Sequence, residues 1–113
     1  VAVAHDQTIT IQNDQTLHVV HDRHKSVDND QITTVTGFDT ETVVKDQKVS
    51  VKQSYTLDVA NITTIKSGDK IELLCGKSSI TLESSGKITI SGQEFDFTAG
   101  GPANIKGKDV FIN

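Results

Sequence analysis

The sequence predicts an all-β fold: an intertwined triple-stranded β-helix in which three copies of the chain build a triangular prism. Three observations predict it. The chain carries a repeat of eight residues, one column of that repeat is a β-branched aliphatic in seven consecutive rows, and a single chain has little material for a core of its own. Apolar residues make up 35% of the 113 residues and aromatics 4%, with no Met or Trp, in a length that suits one domain. Low hydrophobicity of this kind also suits disorder. The steady alternation of β-branched and polar residues argues against that reading, because disordered segments lack such periodicity.

Written in rows from Asp6, the chain reads DQTITIQN, DQTLHVVH, DRHKSVDN, DQITTVTG, FDTETVVK, DQKVSVKQ, SYTLDVAN and ITTIKSGD. The sixth column holds Ile11, Val19, Val27, Val35, Val43, Val51 and Val59. The fourth adds Ile9, Leu17, Val49, Leu57 and Ile65, two residues earlier and therefore on the same face of a strand. The first column holds Asp6, Asp14, Asp22, Asp30 and Asp46, expected to cap the corners by accepting hydrogen bonds from nearby backbone amides. In the eighth, Asn13, Asn29, Gly37 and Asn61 are residues that tolerate a left-handed backbone. Each row therefore predicts a short strand and a corner, with Lys45 and Gln53 the least suited corner residues.

The regular shaft is expected over residues 1–70 and a looser distal part of the same continuous domain over 71–113. There Ile71, Leu73 and Cys75 share a face, as do Ile80 and Leu82, Ile88 and Ile90, Phe95 and Phe97, and Val110 and Ile112. Glycines 76, 86, 92, 100, 101 and 107 replace the polar corner residues, and Pro102 after Gly101 predicts a wider turn. No segment has the three-to-four spacing of an amphipathic helix.

Geometry sets the number of chains. Eight residues span at most about 26 Å at roughly 3.3 Å each, which is one side of a closed coil. Either three successive rows of one chain close a triangle, or three chains each supply one side per layer. Rows such as DRHKSVDN and FDTETVVK offer little more than one apolar position, so a single-chain coil would be poorly filled. Three copies packing their sixth columns on a common axis fit better. At about 1.5–3 kcal/mol per buried aliphatic side chain, each layer gains several kcal/mol before ordering entropy is counted. The trimer core is thus expected to be Ile11, Val19, Val27, Val35, Val43, Val51 and Val59, continued by Ile71, Leu73, Ile80, Leu82, Ile88 and Ile90.

The net charge of -4 argues against nucleic acid, whose phosphates need a basic face. No apolar run of about twenty residues suggests a membrane-spanning helix. The start at Val1, with no signal-peptide pattern, reads as an excised segment. Cys75 is the one cysteine, so an intrachain disulfide and a cysteine-based metal motif are both excluded, and the redox compartment stays open. It is expected to pack as a small hydrophobe with Ile71 and Leu73.

We expect no catalytic residue, metal ligand or cofactor. His5, His18, His21 and His24 are the only ligand set to consider; repeated three times on an axis, one inward histidine could form a three-nitrogen site. No His-x-His pair exists, however, and His18 has the opposite parity to Leu17 and Val19, so surface or corner histidines are expected. Ser78, Ser79, Ser84, Ser85, Glu83, Glu94 and Asp96 show no triad spacing or Gly-x-Ser-x-Gly elbow, and a narrow prism has no cleft for paired carboxylates. Of the bulky residues Phe38, Tyr55, Phe95, Phe97 and Phe111, three lie beyond residue 94. They either fill a wider section of prism, which is the expectation, or form a docking surface.

An octad with Val followed two places later by Gly or Asn, on an acidic chain rich in Gln and Thr, resembles the β-helical needle of the VgrG spike proteins of the bacterial type VI secretion system. The central spike of contractile phages has a similar octad. DQTLHVVH and DQITTVTG resemble the VgrG shaft, and IELLCGKSSITLESSGKITISG its distal part. The resemblance implies a homotrimeric structural needle, secreted and assembled on a bacterial secretion tube, that passes transiently through a target membrane. It also implies a PAAR-repeat tip protein and effector proteins as partners, with Val110, Phe111, Ile112 and Asn113 as candidate contacts at the distal end. The chain departs from that family in replacing corner glycine by Asn13, His21, Asn29, Lys45, Gln53, Asn61 and Asp69. The shaft of a phage tail fibre or receptor-binding spike is the alternative, separable by a binding patch beyond the shaft.

Overall fold

Extended segments about six residues long, separated by bends, make up most of the chain in the computed structural model, which describes residues 4–113. The first three residues of the expected shaft lie outside the described residues. The described residues contain strands and no helix, as the period-two alternation requires. The chain divides into two units, one ending at Ser50 and the other spanning Val51–Asn113.

In the first unit the backbone bends at 12–13, 20–21, 28–29, 36–37 and 44–45, the seventh and eighth columns of each row. Between bends it is extended, yet among the described residues no row pairs with another row. The single-chain coil weighed above is therefore not what this unit forms. Its backbone is shaped for a ladder, and its described residues form none among themselves.

The corners differ from expectation in two respects. Among the described residues no non-glycine residue has positive φ and the positive-φ glycines are Gly76 and Gly86, so Asn13, Asn29, Gly37 and Asn61 do not adopt the left-handed conformation. A corner between two sides only redirects the strand, and that is achieved at negative φ; reversal of direction is what calls for the left-handed region. Lys45 and Gln53 consequently sit in bends of the same kind as Asn13. Nor does any first-column aspartate make the expected capping bond. Among the described residues the side-chain hydrogen bond found is Gln47 Nε2 donating to Glu41 Oε1 at 3.2 Å, on the exposed surface.

The second unit continues with bends at 52–53, 60–61 and 68–69 and then changes form. Strands β1 (Lys70–Cys75), β2 (Ser78–Glu83) and β3 (Ile88–Ser91) make an antiparallel meander with β2 in the centre. Two glycines produce the reversals. Gly76, at φ 53°, opens the two-residue loop between the paired Cys75 and Ser78, the glycine position of a type II′ turn. Gly86, at φ 94°, closes the second loop: its N–H donates to Glu83 O at 3.0 Å, and Glu83 N–H donates to Lys87 O at 3.0 Å. Ser84 N–H donates to Asp69 O at 2.9 Å and extends the β1–β2 ladder by one rung. Beyond β3 the chain is again extended, with bends at 93, 100–101 and 108–109. Bends and turns thus keep to the eight-residue interval, while the apolar positions leave their column because antiparallel pairing matches residues in opposite order.

These φ values predict an asymmetry between glycines. A side chain at Gly86 meets no atom within 4 Å but forces an L-residue into positive φ, so Gly86→Ala should destabilise by about 1 kcal/mol per chain. Gly37→Ala, at negative φ in open space, should be neutral or slightly stabilising. Thermal melts of the two variants at equal concentration check the contrast.

Candidate functional site

No side chain among the described residues is buried, so the functional feature to locate is the face on which apolar groups collect. The sixth column is distinct within each unit. Ile11, Val19, Val27, Val35, Val43, Val51 and Val59 are each 42–48% exposed, whereas the fourth-column Ile9, Leu17, Val49, Leu57 and Ile65 are 62–69% exposed. The sixth-column residue stands immediately before each bend, where the turning chain removes part of its contact with water. Apolar residues elsewhere in the rows, such as Ile32 at 89% and Val44 at 94%, have almost no neighbours.

The six later residues of the expected core are brought together by the meander. Ile71 lies opposite Leu82, which lies opposite Ile88; Leu73 lies opposite Ile80, which lies opposite Ile90. Directly opposed residues share a face, so the six form two rows of three on one side of the sheet. Ile71 is half-buried and the other five remain 38–64% exposed. The reverse side carries Lys70, Glu72, Ser79, Thr81, Thr89 and Ser91, with Leu74 its one large apolar residue. Lys70 Nζ and Glu72 Oε1 are 3.1 Å apart there; both side chains are about half exposed, so the pair contributes under about 1 kcal/mol. The sheet is amphipathic, with an uncharged face that no described residue of its own unit buries.

The remaining sequence candidates are more dispersed. His5, His18, His21 and His24 are exposed, and so is Cys75, at the end of β1. Ser78 and Ser79 alternate sides of β2, and Ser84 and Ser85 belong to the loop that follows. Val110, Phe111, Ile112 and Asn113 follow the last bend in an extended, exposed segment. One feature was not legible beforehand. The Phe95 ring folds back over Gly92, where a Cβ would stand 3.4 Å from Phe95 Cζ, and Phe95 and Phe97 stack with centroids 6.0 Å apart and planes at 9°. The period-two spacing indicated the shared face; the return onto Gly92 depends on the bend at 93.

Extended rows without pairing among the described residues, a half-shielded aliphatic in each of seven rows and an uncovered apolar sheet face define a β-repeat segment. The family profile described as the bacteriophage T4 gp5 C-terminal trimerisation domain matches residues 2–90, most of the chain. The chain belongs to that family. No individual curated protein matches it significantly.

Proposed function

We propose that the chain is one strand of a homotrimeric spike needle whose role is mechanical, without catalysis of its own. Three copies place their sixth columns on a common axis, and their extended rows hydrogen-bond between chains. The observation that carries this reading is the pairing deficit of the rows: among the described residues, backbone shaped for a ladder has no ladder partner, and unpaired backbone groups cannot be enclosed without cost. Membership in a family named for trimerisation supports the same stoichiometry.

In its finer form the proposal assigns the needle to a VgrG-type spike of a type VI secretion system. It acts outside the producing cell, pierces a target envelope, and carries a PAAR-repeat tip and effector proteins on the end near Val110–Asn113. The octad resemblance supports this assignment. The phage origin of the matching family favours a second reading, the shaft of a phage spike or tail fibre. Sedimentation equilibrium tests the shared part: a species of three chains is expected, and a stable monomer at all concentrations would sink both versions. A glycan-binding screen separates them, because a selective ligand would move the assignment to a receptor-binding fibre.

A further inference from the structure

We infer that the meander Lys70–Ser91 sets the register of the three chains, its apolar face packing against the same face of the other two copies before the octad rows close. The inference rests on the trimer proposed above and adds how its chains find their phase.

The octad rows are poorly suited to that task. If one chain slides by a whole number of rows, Val19 replaces Ile11, Val27 replaces Val19, and so on along the column. Every layer inside the shaft still presents a β-branched aliphatic at the axis, and the bends stay matched because they recur at the same interval. On the axis only the end rows lose partners; the fourth column, 62–69% exposed where it is aliphatic, exchanges Lys25, Thr33 and Glu41 with its aliphatic members. Register in strand assemblies is weakly specified where successive positions are equivalent.

The meander lacks that degeneracy. Its six apolar residues form a pattern that occurs once, and a slide by one row sets β1 of one copy against β2 of another, which runs the opposite way. It is also the one element among the described residues whose strands pair within the chain, and every pairing is local, from Cys75–Ser78 outward to Lys70–Glu83 and from Leu82–Ile88 to Ser79–Ser91. Local hairpins form in about 1–10 μs, whereas the rows must await other chains. A bare apolar face leaves the hydrophobic contribution of such a sheet unrealised until something covers it.

Second and third copies of this chain are the cover that fits. The face carries no charge, so identical faces meet without repulsion. The trimerisation family match runs to residue 90, which is Ile90, the last apolar residue of the meander.

Two experiments on the full chain test the inference. In the first, chains carrying Val19→Cys and Val35→Cys are mixed on a Cys75→Ser background, with and without Ile80→Thr and Leu82→Thr, and oxidised. The two positions are two rows apart, about 10 Å along an axis that rises roughly 4.8 Å per row, beyond disulfide reach in register. They come level when one chain slips by two rows. Threonine keeps strand preference while removing the apolar face, so the slipped disulfide should rise about ten-fold in the double variant while sedimentation still shows a trimer. A trimer with no such rise would overturn the inference. Pulsed hydrogen exchange during refolding of the unmodified chain keeps the question open to test if that variant does not assemble. Amides of Ile71–Leu73 and Ile80–Leu82 should gain protection first, in a phase that quickens with chain concentration, ahead of the rows containing Val19–Val59. Simultaneous protection of both regions would equally overturn it. A chain that stays monomeric throughout would instead remove the trimer reading.

Discussion

Val35→Asp is expected to abolish assembly, whereas Val44→Asp should leave it nearly unchanged. Both substitutions put the same carboxylate into the same strand-rich segment, and they differ in which column receives it. Val35 belongs to the half-shielded sixth column, at 48% exposure in one chain, and in the proposed trimer three copies meet on the axis. Three carboxylates gathered on a dry axis would each lose hydration without a cation to pair with, at a cost of several kcal/mol per ion. Val44, at 94% exposure, sits in the bend at 44–45, and in the proposed trimer it lies away from the axis. Val35→Ala gives a graded control, losing about 0.8 kcal/mol for each buried methylene equivalent per chain. Sedimentation velocity at one concentration reads all three variants. Equal behaviour of the Val35→Asp and Val44→Asp chains would show that the sixth column is not the core.

The second large effect is a dependence on concentration. Among the described residues the first unit has no strand pairing of its own and no side chain is buried, so the folded shaft and the assembled shaft should be one state. For three chains forming one particle, every ten-fold dilution lowers the assembly free energy by about 2.8 kcal/mol, twice the usual 1.4 kcal/mol per decade. Thermal midpoints should therefore fall steeply on dilution, with the β signal in circular dichroism lost together with the trimer. A melting temperature independent of concentration would mean that one chain holds its own structure, contrary to the pairing deficit.

Much of this was legible from residue order. The sixth column from Ile11 to Val59 marked the residues that the structure shields most among the large aliphatics of those rows, and the row length located the bends at 12–13 through 68–69. The corner chemistry was not legible. Asn, Gly and Asp in the outer columns suggested left-handed residues and capping carboxylates, because those residue types do both in reversing turns. Here most corners only redirect the chain, negative φ suffices, and tolerance of Lys45 and Gln53 follows.

The apolar pairs after residue 70 show a different limit. Ile71 with Leu73, Ile80 with Leu82, and Ile88 with Ile90 announced a shared face for each strand by period-two spacing alone. Their spacing of nine and then eight residues looked like a loosening of the repeat. It comes from a change of direction: with β2 antiparallel to both neighbours, Ile71 meets Leu82 and Leu73 meets Ile80, so the positions that must be apolar are set by the loops at Gly76 and Gly86.

The sequence by itself determined the row length, the strand character of each row and the aliphatic column, because period-two alternation and β-branched side chains act locally, residue by residue. Tertiary structure alone decided which corners reverse the chain and which merely bend it, and hence where the chain pairs with itself. That outcome depends on backbone φ at Gly76 and Gly86 and on hydrogen bonds between residues distant in sequence, such as Ser84 N–H to Asp69 O, which no column of the repeat encodes.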